Sequence, residues 1–296
     1  MSNYRIFYHP DTISTTHSFD TTRKGADVAT ALESQGWLIS TPTPLSVAEA
    51  TQTHRADYID AIVHGQPRDL AKSQGFPWDP QMWRSVAAQN GALRDAVLTA
   101  ITGIPAYALS AGFHHARSNH GAGFCTVNGL AIGADIALKN GVRKVFILDV
   151  DAHCGGGTFS MVQDYAHIVH LDLSVHRYDQ YIPTSPHQLL FANHASEYLS
   201  RLQHLLTYAE VDLQAGDLVI YNAGMDPYEG CDLGGIPGID VALLTQREAL
   251  VTAWIRRHQL NVAACLAGGY NGAAFSHQDL VAMHAMSVTT LLHQDA

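Results

Sequence analysis

Cysteine is scarce: Cys125, Cys154, Cys231 and Cys265 are the only four in 296 residues, with no Cys-x-x-Cys pair, and each lies within or beside an apolar run. That spacing argues against a disulfide framework and fits a reducing, cytoplasmic setting. Positive charge is scarce as well. Lys and Arg number 17 against 27 Asp and Glu, a formal charge of −10, so the clustered cations that a nucleic-acid partner requires are missing. An acidic surface suits a cationic substrate better. No run of about 18 apolar residues is available to span a membrane, and the opening MSNYRIFYHP lacks the basic and apolar segments of a secretory leader. Repeats, low-complexity tracts and linker-like stretches are also absent, so residues 1–296 read as one domain, close to the largest size that a single core serves.

What the chain does contain is 47% hydrophobic residues, 24 glycines and a surplus of 18 histidines. Short β-branched and apolar runs at Tyr4–Tyr8, Ala106–Ser110, Lys144–Val150, Ile168–Leu173, Leu218–Asn222 and Val262–Ala267 predict strands. Between them, helical spacing of apolar residues predicts helices over Ala26–Gln35, Pro80–Thr102, Asn128–Asn140, Glu197–Ala209, Leu243–Gln259 and His277–His293. This alternation specifies an α/β protein with a largely parallel sheet, in which ligands gather beyond the carboxyl ends of the strands. Polar clusters fall there: GFHHA after the second run, DAHCGGG after the third, AGMDPYEGCDLGG and GGYN after the last two.

Asp149-Val-Asp151-Ala-His153 carries the strongest chemical signal. Strand alternation puts its three ligand-type side chains on one face, more than helix capping after a strand would need. A catalytic zinc site takes three protein ligands and keeps a position open, and Asp226 is the candidate third beside Asp151 and His153. By itself, Asp226-Pro227 would be ordinary turn chemistry. His114-His115 offers a base for water and an acid for a leaving amine, with Asp149 free to orient one imidazole. Tyr270 could donate to a developing oxyanion, and the bare backbone at Gly268-Gly269 would let a substrate come close. Gly155-Gly156-Gly157-Thr158 lacks P-loop spacing and reads as a sharp turn beneath the metal.

In order, YHP, GFHHA, GFCTVNGLAIGA, DVDAHCGGGT, HLDLSVHRY, NAGMDP with DLGG, and AGGYN make the chain resemble the histone deacetylase family, which includes acetylpolyamine amidohydrolases and acetoin-utilisation proteins. The resemblance implies an arginase/deacetylase-type three-layer sandwich around a mostly parallel sheet of about eight strands. It implies hydrolysis of an acylated amine, on a peptide or a small molecule, with Asp151, His153 and Asp226 as ligands of zinc; an Asp₂His set also takes ferrous iron. His115 becomes the general base and acid, His114 its electrostatic partner held by Asp149, and Tyr270 the oxyanion donor. Gly123 and Phe124 would line a narrow acyl-lysine tunnel, Gly269 would border the substrate, and Ile182 or Tyr181 would form the second wall. A potassium ion near Asp149, Asp151, His153 and Ser174 is implied too. Leu233 falls at the tunnel mouth, where acetylpolyamine-selective members can carry a carboxylate and protein-directed ones carry leucine.

The chain departs from the family pattern at two places. Cys154 follows the metal-binding histidine where a second histidine is usual, and Gly156 occupies the place of the side chain that supports the second tandem histidine. The tuning of His115 is therefore expected to differ. Arginase-type ureohydrolases share the fold, but a two-manganese cluster would need a carboxylate at Gly155 and another beside Asp226. A non-catalytic acyl-ligand binder would be favoured by lost ligands or a lost tyrosine. The residues say nothing of subunit number.

Overall fold

The computed structural model describes residues 3–16, 20–272 and 275–293. Eight strands form one sheet: β1 (Arg5–Phe7), β2 (Ile39–Ser40), β3 (Ala106–Ala111), β4 (Val145–Asp149), β5 (Ile168–Ser174), β6 (Gln188–Phe191), β7 (Leu218–Ala223) and β8 (Asn261–Leu266). They lie in the order β2-β1-β3-β8-β7-β4-β5-β6, and every pairing is parallel. Parallel strands covered on both faces need apolar side chains on both, which is why VFILD of β4 and LVIYNA of β7 are buried throughout.

The two faces feed two cores. Phe146, Leu148, Val219, Tyr221, Ala264 and Leu266 point to one side, against the helices α1 (Asp20–Ser34), α8 (Ala195–Ala209), α9 (Val241–Arg257) and α10 (His277–Leu292). Val145, Ile147, Leu218, Ile220 and Ala263 alternate to the other, against α5 (Met82–Ala100) and α6 (Gly129–Lys139). The layers are therefore helix, sheet, helix, as the resemblance implies.

Each of the six strands expected from apolar runs is present, and the six long helices overlap their expected ranges. Two edge strands, β2 and β6, were not expected. Neither were the short helices α2 (Val47–Ala50), α3 (Ala56–His64) and α4 (Arg68–Ala71), which pack with α5 around Tyr58, Ile59 and Ile62. The glycine run expected to be only a turn opens helix α7 (Gly156–Val162).

Sheet order explains how distant motifs meet. The neighbours β3, β8, β7 and β4 end, respectively, just before His114-His115, Gly268-Gly269-Tyr270, Asp226, and Asp151 with His153. Four consecutive strands thus deliver the polar clusters to one rim.

Candidate active site

β4 closes on Asp149, whose carboxylate is completely buried. Its Oδ2 lies 2.8 Å from His114 Nδ1, and its Oδ1 accepts from Asn222 Nδ2 at 2.9 Å and from the Asp151 amide at 3.1 Å. Strand alternation thus stops at Asp149 and does not run on to His153. Beyond it the chain turns, because the His153 amide donates to Asp151 Oδ1 at 3.0 Å and the Ala152 amide to Asp226 Oδ1 at 2.9 Å.

Those turns bring three donors together. His153 Nδ1 stands 3.2 Å from Asp151 Oδ1 and 3.1 Å from Asp226 Oδ2, and one ligand atom from each residue lies within 4.8 Å of the others. Gly268 completes the socket: its amide donates to Asp151 Oδ2 at 2.7 Å, and a Cβ on it would collide with Asp226 Oδ2 and sit 2.6 Å from Asp151 Oδ2. Burial and the Asp151 charge push the Asp226 carboxyl up to about 6. Burial disfavours a charged His153, but Asp151 and Asp226 outweigh it and raise the imidazole to about 10. An ionised Asp151 carboxylate beside an Asp226 carboxyl and a His153 imidazole that both favour their protonated forms is a donor set suited to a divalent cation.

The tandem histidines differ sharply. Their ring centroids are 4.0 Å apart. Burial opposes charge on His114, but Asp149 and Asp151 override it and lift the ring to about 10. Burial and then the neighbouring His114 lower His115 to about 4. His115 is not left without support: its Nδ1 meets Asp179 Oδ2 at 3.0 Å. Asp179 comes from the loop after β5, and its carboxyl is held below the usual range because His115 and Arg117 outweigh its burial. The tuning of His115, expected to differ because Gly156 lacks the usual supporting side chain, thus involves a carboxylate from another loop.

A cavity of about 550 Å³ leads down to His115, His153 and Tyr270 between Gly123, Phe124, His176, Tyr178 and Leu233. A smaller pocket of about 30 Å³ lies deeper, bordered by His114, Asp151, Cys125 and Tyr270. Gly123 takes φ +49°, and a Cβ there would strike the His115 ring. Phe124 packs on Phe76 at 5.0 Å between ring centroids. The opposite wall is Tyr178, edge-on to His115 at 4.9 Å. Ile182, expected there, is 86% exposed and does not border the cavity. Tyr181 is tied up elsewhere, stacked on Phe159 at 4.2 Å with its hydroxyl 3.1 Å from His170 Nδ1. Gly269 also differs from expectation: a Cβ on it would meet Leu280 and His284, so helix packing requires that glycine. Gly268 is the one that faces the site.

Around the expected potassium position, Ser174 Oγ donates to Asp172 Oδ1 at 2.7 Å. Asp172 escaped the sequence reading. Burial and then Asp149 raise its carboxyl to about 6.

An eight-stranded parallel α/β domain with one Asp-His-Asp donor set beside paired imidazoles defines the class. Residues 17–286 match the histone deacetylase domain, and the chain belongs to the histone deacetylase family. That membership implies deacetylase or amidohydrolase activity. An uncharacterized protein of Picosynechococcus sp. is 27% identical over 267 residues, 82% of this chain and 79% of its own length. Histone deacetylase 2 of Arabidopsis thaliana is 29% identical over 170 residues, spanning 55% of this chain and 43% of that protein. In fold, the acetylpolyamine aminohydrolase of Burkholderia pseudomallei superposes with a TM-score of 0.79 at 17% identity, covering 97% of this chain and 98% of that one. Among the described residues, no helix is long and apolar enough to cross a membrane.

Proposed function

We propose that the protein hydrolyses the acyl amide of an N-acyl-lysine or a related acylated amine, releasing the carboxylic acid and the free amine. The observation that carries this reading is the Asp151, His153 and Asp226 donor set beside His114, His115 and Tyr270, where the main cavity and the smaller pocket both reach His115 and Tyr270. A zinc-class ion on those three ligands, zinc or ferrous iron, would supply Lewis acidity to the acyl oxygen and to a water. His115 takes a proton from the water and returns it to the leaving nitrogen, work that suits an imidazole free of charge in its resting form. His114, pinned by Asp149, keeps positive charge beside the developing anion. Tyr270 donates to the oxyanion; burial raises its phenol well above the usual value, so it stays protonated. Gly123, Phe124 and Tyr178 hold the apolar stem of the lysine, while Leu233 covers the mouth without charge. A monovalent cation beside Asp149, Asp151, His153 and Ser174 belongs to the same proposal, with Asp172 supplying a further carboxylate.

The ureohydrolase reading is less well supported. Among the described residues the donor set is a single triad, and glycines stand at 155 and 156. The test is metal content together with turnover of acyl-lysine peptides and acetylpolyamines. One divalent ion per chain is expected, with activity lost to a chelator and regained with zinc. Two tightly held manganese ions, or a metal-loaded protein inert to every acylated amine, would overturn the proposal.

A further inference from the structure

We infer that Asp179 is the positioning residue of His115, standing in from a different loop for the side chain that Gly156 lacks. The role of the imidazole rests on the hydrolase reading above; the hydrogen bond does not. Asp179 Oδ2 sits 3.0 Å from His115 Nδ1 and also accepts from the Gly157 amide at 3.1 Å. Its other oxygen pairs with Arg117, whose second nitrogen donates to the His115 carbonyl at 3.2 Å. Arg117 thus ties the carboxylate to the backbone of the residue that the carboxylate orients, and Asp179 is itself only 8% exposed.

The arrangement excludes a side chain at 156. A Cβ there would run into the Asp179 carbonyl and lie 2.7 Å from its Oδ1. A supporting group at 156 and a carboxylate at 179 are therefore alternatives, and this chain uses the second. The turn that delivers Asp179 is specific: the residue takes φ +59°, a left-handed conformation that aspartate tolerates better than most residues. The same turn directs Tyr178 into the cavity against the His115 ring. One loop thus supplies both a wall and an orienting carboxylate.

A carboxylate at Nδ1 fixes the proton there and leaves the Nε2 lone pair for the reacting water. This is checked on zinc-loaded protein carrying ¹⁵N-histidine, with the His115 signals identified by their loss in His115→Gln. Wild type is expected to show a neutral His115 protonated on Nδ1. Asp179→Ala should shift that ring toward the Nε2–H form and lower kcat roughly 10- to 100-fold with KM little changed. Asp179→Asn, whose amide oxygen can still accept from Nδ1, should keep the tautomer and recover most of the rate. Wild-type His115 carrying its proton on Nε2 would overturn the inference, even if the alanine variant does not fold. So would an alanine variant that keeps the tautomer, or one that loses activity through KM alone. A wild-type protein inert to acylated amines, but with a tautomer that depends on Asp179, would sink the hydrolase reading and leave the positioning role standing.

Discussion

Tyr270 borders both the main cavity and the deeper pocket, with a phenol that burial keeps protonated. Removing its hydroxyl alone should leave the metal and the fold in place. Tyr270→Phe is expected to lower kcat by roughly two to three powers of ten, the usual effect of losing one oxyanion donor; steady-state kinetics with metal analysis decides it, and near-normal kcat would refute the assigned role. Leu233 lies at the mouth, 47% exposed, and among the described residues no Asp or Glu borders the cavity. Leu233→Glu should move the kcat/KM ratio toward N8-acetylspermidine over an acetyl-lysine peptide by about fivefold, equivalent to about 1 kcal/mol for an exposed ion pair. An unchanged ratio would show that another residue selects the substrate. At this scale the donor triad and tandem histidines were legible, because each ends an apolar run in a spacing that capping does not need. Asp179 and Tyr178 were not: they belong to a loop whose path depends on a left-handed turn that no periodicity announces. The one signal available was the gap at Gly156, which called for a carboxylate from elsewhere. The roles of Gly268 and Gly269 could not be told apart without knowing which of them faces α10.

The long helices and the central strands were legible; the shortest elements, and with them the nine-residue α3, were not. β2 has two residues and β6 four, too few for alternation to stand out, and α2 and α4 are single turns. Helix α7 defies propensity outright. Gly155, Gly156 and Gly157 would otherwise collide with His170, Asp179 and the His114-His115 backbone, so close packing selects glycine where an isolated helix would reject it. Helix α6 reaches the site through its cap. Asn128 Oδ1 accepts from the Ala131 amide at 3.0 Å, while its Nδ2 donates at 3.0 Å both to the Ala116 carbonyl and to Thr158 Oγ1. The helix start, the tandem-histidine loop and α7 are joined by this one amide. Asn128→Ala should cost about 1–2 kcal/mol from the cap alone and also lower kcat, because the loop carrying His114 and His115 loses its anchor. Denaturant unfolding and kinetics measured together check both; a stability loss with full activity would make the residue a cap and nothing more.

For the molecule as a whole, the protons held by the metal-free socket set a pH dependence. Asp226 at about 6 and His153 at about 10 both titrate above their unfolded values of 3.8 and 6.5, so their contribution favours folding in the protonated form. It is complete below the unfolded values and fades as pH rises, through about 4 to 6 for Asp226 and about 6.5 to 10 for His153. His54 works in the opposite sense. Burial lowers it to about 4, so its contribution is present above 6.5 and is lost as pH falls toward 4. The Tm of metal-free protein should therefore decline from pH 6.5 to 9. Zinc on these three ligands would displace the socket protons, so the increment in Tm that it gives should be larger at pH 9 than at pH 6.5. Equal increments at saturating zinc would show that no protons were displaced.

The sheet order also sets when the socket can exist. Gly268 bonds to Asp151 across 117 residues of chain, and Asp226 meets His153 across 73. No local segment holds more than a fragment of the ligand set, and β8 must insert between β3 and β7 before the last wall is in place. Long-range parallel closure is a late, slow event in folding. Zinc should thus leave the refolding rate nearly unchanged while slowing unfolding, as expected for an interaction absent from the transition state. During refolding, metal uptake would serve as a clock for the final step of assembly.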